Sequence, residues 1–237
     1  MIEEIIDAPV VGKLMREARR LSRQIDRLLV PLPAGWSLAP FEPNELFDAF
    51  PRLQLRAGFQ LAAYQYCEGR TAYGFVFAIP ARRWLPDPPQ SGFELDWSED
   101  DKPILSSGGL LPEWARPDIE TFLEGDHSPL SYFQASIFVR ELREMGSLRR
   151  GSSWPNHRIV TAADQIAGQN WIWDGEEPQD WRPVVRRKDT GLRQVIFYTH
   201  TGLRRERIVA HHDTFTSGYS FESADTTIAR GEGGYLL

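Results

Sequence analysis

The sequence predicts an α+β fold: a mainly antiparallel sheet of roughly six to nine strands, with two main helices packed on one face. Three observations carry this. Residues 154 to 237 hold a succession of short β-type runs separated by turn-forming residues, residues 53 to 79 hold a hairpin pattern, and the stretches 10 to 30 and 129 to 146 carry apolar side chains at helical spacing. A chain of 237 residues buries most of its apolar surface without help from a metal or disulfide. No repeat or linker composition divides it, so residues 1–237 read as a single α+β domain with a long acidic Pro/Gly-rich loop at about 81–116.

The first helix follows from Val11, Leu14, Met15, Ala18, Leu21, Ile25, Leu28 and Leu29 on one face, with Arg16, Arg19, Arg20, Arg23 and Arg27 mostly opposite. Asp7 is its expected N-cap, and Pro31 and Pro33 its stop. A short helical turn at Asn44 to Phe50 precedes the hairpin. There Leu53, Leu55, Ala57, Phe59, Leu61 and Ala63 alternate with polar or small residues, Tyr73, Phe75, Phe77 and Ile79 alternate on the return, and Glu68-Gly69-Arg70 supplies the turn. Both faces are apolar enough to place this pair centrally in the sheet. Five prolines and three glycines between 81 and 116 then interrupt the pattern. Pro117 to Glu124 reads as a short helix, and Ser128-Pro129 starts the second main helix, with Leu130, Phe133, Ile137, Leu142 and Met145 on its apolar side and Gly146 as its stop.

The last long hairpin, Gly191 to Asp213, turns in this reading at Thr201-Gly202. His200 then pairs with Leu203, Val195 with Ile208 and Gly191 with His212. Val195, Phe197, Ile208, Ala210 and His212 form the core side, and Tyr198, Arg205, Arg207, Val209 and His211 the other. At about 3.3 Å per residue this register sets His200 roughly 30 Å from His211 and His212, which disfavours a three-histidine metal site.

Composition bounds the function. The formal charge of −6 argues against a nucleic-acid binder whose affinity rests on phosphate neutralisation. The acidic N-terminus lacks the basic n-region of a secretory signal, and no apolar run reaches the roughly 18 to 20 residues that span a bilayer. A cytoplasmic protein without membrane contact is expected. The single cysteine, Cys67, excludes an intramolecular disulfide and reads as a small half-buried residue.

Two constellations could carry chemistry. Trp171, Trp173 and Trp181, with Trp154 before them and Arg182, Arg186 and Arg187 behind, would offer flat indole surface beside bidentate cations. That suits a small anionic or aromatic ligand or a protein partner. The competing reading is core filling. His211 and Asp213 lie on one strand face, where a carboxylate beside an imidazole could orient a general acid or base, or simply form a hydrogen-bonded strand-end pair. Gly231, Gly233 and Gly234 lack the Lys-Ser/Thr of a phosphate loop, and the acids from Glu94 to Asp101 lack the spacing of a calcium loop. No cofactor is implied. The expectation is a non-enzymatic accessory or binding protein using Trp171, Trp173, Trp181, Arg186 and Arg187. The alternative is a small hydrolase or metal-dependent enzyme using His211 and Asp213, with His157 or Tyr219 brought in by the fold.

Overall fold

The helix expected at 129 to 146 forms the centre of the molecule. The computed structural model describes residues 2–28, 34–88, 96–97, 103–104, 111–148, 153–203 and 205–234. In chain order its elements are β1 (Ile2–Ile5), α1 (Ala8–Leu28), β2 (Gly35–Leu38), β3 (Leu53–Leu55), β4 (Phe59–Glu68), β5 (Thr71–Pro80), β6 (Asp96–Trp97), β7 (Pro103–Ile104) and β8 (Leu123–Gly125). Then follow α2 (Pro129–Arg143), β9 (Arg158–Val160), β10 (Ile172–Trp173), β11 (Val184–Arg187), β12 (Arg193–Thr201), β13 (Arg207–Ser217) and β14 (Ser220–Arg230).

Helix α2 starts as its sequence dictates: Ser128 Oγ accepts the Ser131 N–H at 3.2 Å, and Pro129 occupies the first turn. Gly146 follows its end at φ +77°, a conformation that glycine adopts without strain. Every residue from Ser131 to Leu142 is buried. The helix is therefore enclosed all round rather than on one apolar face, and it packs against β3, β5, β11 and β12.

On one side lies a seven-stranded antiparallel sheet in the order β1-β11-β12-β13-β14-β10, with β9 pairing β12 beyond the end of β11. On the other lies a three-stranded sheet, β2-β4-β5. The hairpin expected at the centre of one sheet is thus the core of a second, smaller one. Its first run also divides. Gly58 turns at φ +87°, so β3 leaves to pair with β8 while β4 carries on to pair with β5. The segment 117 to 124 is a 3-10 turn at Ile119–Phe122 leading into β8, not a full helix.

Helix α1 buries Val11, Leu14, Ala18, Leu21 and Ile25 in the same core as α2, as the periodicity predicts. The prolines expected to stop it lie outside the described residues, as does most of the acidic loop and its Glu94, Glu99, Asp100 and Asp101. The loop's described ends pack on the far face of the small sheet, where Leu85, Leu111 and Trp114 cover Tyr64, Phe77 and Ile79. Cys67 is buried, which pushes its thiol pKa up.

The β12–β13 register differs from the expected one. Val195 pairs with Asp213, Phe197 with His211 and His200 with Ile208, because the ladder closes at Thr201 and Arg207 rather than across a two-residue turn. An odd shift of register exchanges the faces of one strand relative to the other. Val195, Phe197, Thr199, Val209, His211, Asp213 and Phe215 accordingly share the inner face towards α2, and Ile208 joins Trp181, Val160 and Ala229 in a separate outer cluster. His200 lies three residues, about 10 Å, from His211 along the ladder and not 30 Å. Its ring is on the outer face, against Trp171.

Candidate functional site

The inner face of the large sheet holds charges that a core does not need. His211 and Asp213 are 2% and 0% exposed, so neither is a strand-end surface residue. They do not pair with each other. Asp213 takes a bidentate pair of bonds from Arg140 of α2, at 2.6 and 2.8 Å, and a third from Ser223 Oγ at 2.6 Å. Burial alone would lower the Arg140 pKa, but the carboxylates of Asp213 and Asp225 outweigh it and push the pKa up. The guanidinium also lies over Phe197, 5.2 Å from the ring centroid.

His211 instead bonds Asp225 of β14, the next strand, through Nδ1 at 2.8 Å. Its Nε2 meets Thr199 Oγ1 at 2.8 Å, and the same oxygen meets His157 Nδ1 at 2.8 Å. His157 sits just before β9 and stacks on Trp154 at 24°, while His211 stacks on Phe197 at 16°. Burial drives the pKa of His211 down despite the Asp225 bond, and burial with the nearby His211 and Arg207 drives that of His157 down to about 3. Burial would raise the Asp225 pKa, but the His211 N–H and Arg140 outweigh it and hold it low.

These protonation states fix the direction of every bond in the chain. An ionised Asp225 can only accept, so His211 carries its proton on Nδ1. A neutral imidazole has one N–H, so His211 Nε2 is an acceptor and the Thr199 hydroxyl donates to it. Thr199 has no second proton, so its contact with His157 is donated by His157 Nδ1–H. His157 Nε2 is therefore left as a bare acceptor, with no hydrogen-bond partner among the described residues.

His157 lines a groove of about 610 Å³ between α1 and the segment from Pro155 to Gln165. Val11, Gly12, Met15 and Ile159 are among its apolar lining residues, and Arg23 and Arg158 among its charged ones. The residues leading into the segment are anchored by two buried acids, Glu141 of α2 and Glu144 at its C-terminal cap. Glu144 accepts from Ser153 N–H and Oγ at 2.6 and 2.7 Å, and Glu141 accepts from the Trp154 indole at 2.9 Å and from Ser22 of α1 at 3.2 Å. Burial pushes the Glu141 pKa up, against the opposing pull of Arg19.

The tryptophan constellation lies elsewhere, on the outer face of the large sheet. Trp181 is buried, 6.0 Å from Trp173 and 5.3 Å from Tyr198. Trp171 and Trp173 are partly buried against the same cluster, and Trp171 Nε1 donates to the Ile166 carbonyl. Arg186 bonds Glu3 at 2.7 Å, and Arg187 is exposed at the end of β11. The fold thus gathers Trp173, Trp181 and Arg186 on one face but spends Trp181 on packing. Tyr219 is at the opposite end of the sheet, bonded to Ser131 Oγ and to the His127 N–H, and does not join His211.

Sequence reasoning missed Asp225, Thr199 and Arg140. Arg140 lies on a helix buried all round and Asp225 in an exposed stretch of β14, so no local pattern in the sequence marks them. The fold and site define an α+β protein with a helix enclosed between two antiparallel sheets and a directed polar chain reaching a groove. Comparison with family models, curated proteins and solved structures finds no match. Among the described residues no helix is long and apolar enough to cross a membrane.

Proposed function

We propose that this is a small-molecule binding protein whose ligand lies in the groove between α1 and His157. Gly12 carries the argument. It sits inside α1, where glycine costs about 0.5–1 kcal/mol relative to alanine. Its φ is not positive, and a Cβ built there meets only the tip of Arg16, at 3.4 Å. The fold does not demand a glycine at this place; the groove does, since any side chain there would enter it. The ligand best suited has an apolar body against Val11 and Met15, a hydroxyl or N–H to donate to His157 Nε2, and an anionic group for Arg23 and Arg158. A small ligand with these features is favoured over a macromolecular partner because a hollow of about 610 Å³ matches the size of small-molecule sites.

A panel of aliphatic and aromatic hydroxy acids, followed by ligand-observed NMR and by the His157 ring signals, tests this. Binders should shift His157 and be lost in Gly12→Leu, a variant expected to fold with unchanged or slightly higher stability. Compounds that bind Gly12→Leu as well as wild type would exclude the groove.

One observation favours a second reading, catalysis. The open Nε2 of His157 is backed through Thr199 and His211 by a carboxylate, an arrangement that orients the ring to take a proton from water or a ligand hydroxyl, although its pKa of about 3 makes it a weak base at neutral pH. Here His211 would position His157, and Asp213 would hold Arg140 in place. Nitrophenyl esters of graded chain length provide the check: turnover lost in His157→Asn supports it, and turnover unaffected by that change counts against it.

A further inference from the structure

We propose that the protein carries a second site, for a phosphate group, formed by Arg205, Arg207, Arg230 and Thr227 where the β12–β13 turn meets the end of β14. These residues line a pocket of about 370 Å³ with Leu203 and Glu206. Arg207 and Arg230 are direct cross-strand partners. Like charges directly opposite each other weaken an antiparallel pair, so this placement works against the sheet unless an anion lies between them. Arg205 stands two residues before Arg207 and adds a third cation to the same concavity.

Among the described residues nothing neutralises the arginines. None of them has an acidic side-chain partner among those residues, and Arg207 Nε is buried without a hydrogen-bond partner there. A buried charged donor left unsatisfied is costly. The one acid lining the pocket, Glu206, is engaged by His200 Nε2. Three guanidinium groups face one carboxylate, an excess that matches a doubly charged anion.

Guanidinium forks bind phosphate oxygens in pairs. Three of them around one hollow suit a tetrahedral group, whose oxygens point several ways, better than a planar carboxylate. Thr227 adds a hydroxyl donor. The site is independent of the groove ligand, but Arg207 is among the charges that hold His157 in its neutral form, so a bound dianion would be felt at that ring.

The test is a titration of inorganic phosphate into the full chain in low-salt chloride buffer, followed by the arginine Nε–H signals and by Tm, with glycerol phosphate as a second probe. Saturable binding should shift Arg207 Nε–H, raise Tm and move the His157 ring signals. It should weaken by about tenfold or more in Arg207→Gln and in Arg230→Gln, and persist in the surface control Arg82→Gln. Tighter binding of glycerol phosphate would identify a phosphomonoester site, and equal or weaker binding an inorganic phosphate site. Absence of saturable binding, or equal affinity in Arg207→Gln and wild type, would overturn the proposal.

Discussion

Helix α2 lies between two sheets that treat it in opposite ways. The small sheet turns Leu61, Ala63 and Gln65 of β4 towards it, paired with Ala78, Val76 and Gly74 of β5. These are mostly small residues, and they let the backbones approach closely: a Cβ on Gly74 would come within 1.8 Å of the Met145 carbonyl oxygen. One polar side chain, Gln65, reaches across to the Gly146 carbonyl at 2.7 Å. The large sheet turns Thr199, His211 and Asp213 towards the same helix, and α2 answers with Arg140. One interface is built by shape and the other by charge. Burying an ion pair seldom adds stability over an apolar equivalent, so the large sheet's inner face is where the protein accepts a cost that packing alone would not require.

The sharpest way to break this contrast is Arg140→Met. It leaves Asp213 buried without its cation, and a loss of about 3–5 kcal/mol is expected by chemical denaturation. Asp213→Leu in the same chain should recover a large part of that loss. If the double variant were as unstable as the single, the ion pair would not be the source of the cost. On the other interface Gly74→Ala forces a methyl against backbone and should lose about 1–3 kcal/mol, with no change in the titration of either histidine.

The histidine part of the pH dependence belongs to the charged interface. His157 is neutral in the fold, with its pKa down from the ordinary 6.5 to about 3, and His211 is shifted the same way. The unfolded chain therefore takes up protons that the folded chain refuses. Stability should be full above pH 6.5 and fall on acidification towards 3, with a slope of up to about 1.4 kcal/mol per pH unit for each histidine. His157→Asn should reduce that slope, whereas Gly74→Ala should leave it intact.

The two interfaces also differ in how far they can be read from sequence. The caps of α2, the apolar stripe of α1 and the β4–β5 turn at Gly69 were legible because each signal is local. The β12–β13 register was not. Both faces of those strands are covered, so apolar side chains occur at odd and even positions alike, and alternation could not choose between registers of opposite parity. His211 and Asp213 were legible as two residues on one face. Their partners were not, because Asp225, Thr199, His157 and Arg140 come from β14, β12, the segment before β9 and α2, which only the tertiary fold brings together. The tryptophans illustrate the converse: clustering in sequence at 171, 173 and 181 reflects a common outer core as much as any surface.

The central claim is that a directed chain from Asp225 leaves His157 Nε2 open to the groove, and ring-nitrogen NMR of the histidines at neutral pH tests it most directly. His157 and His211 should both appear as neutral Nδ1–H tautomers, with His157 remaining unprotonated well below pH 6. A His157 ring protonated on Nε2, or one titrating near its ordinary 6.5, would contradict the chain's direction and with it the groove as a binding site built around an acceptor.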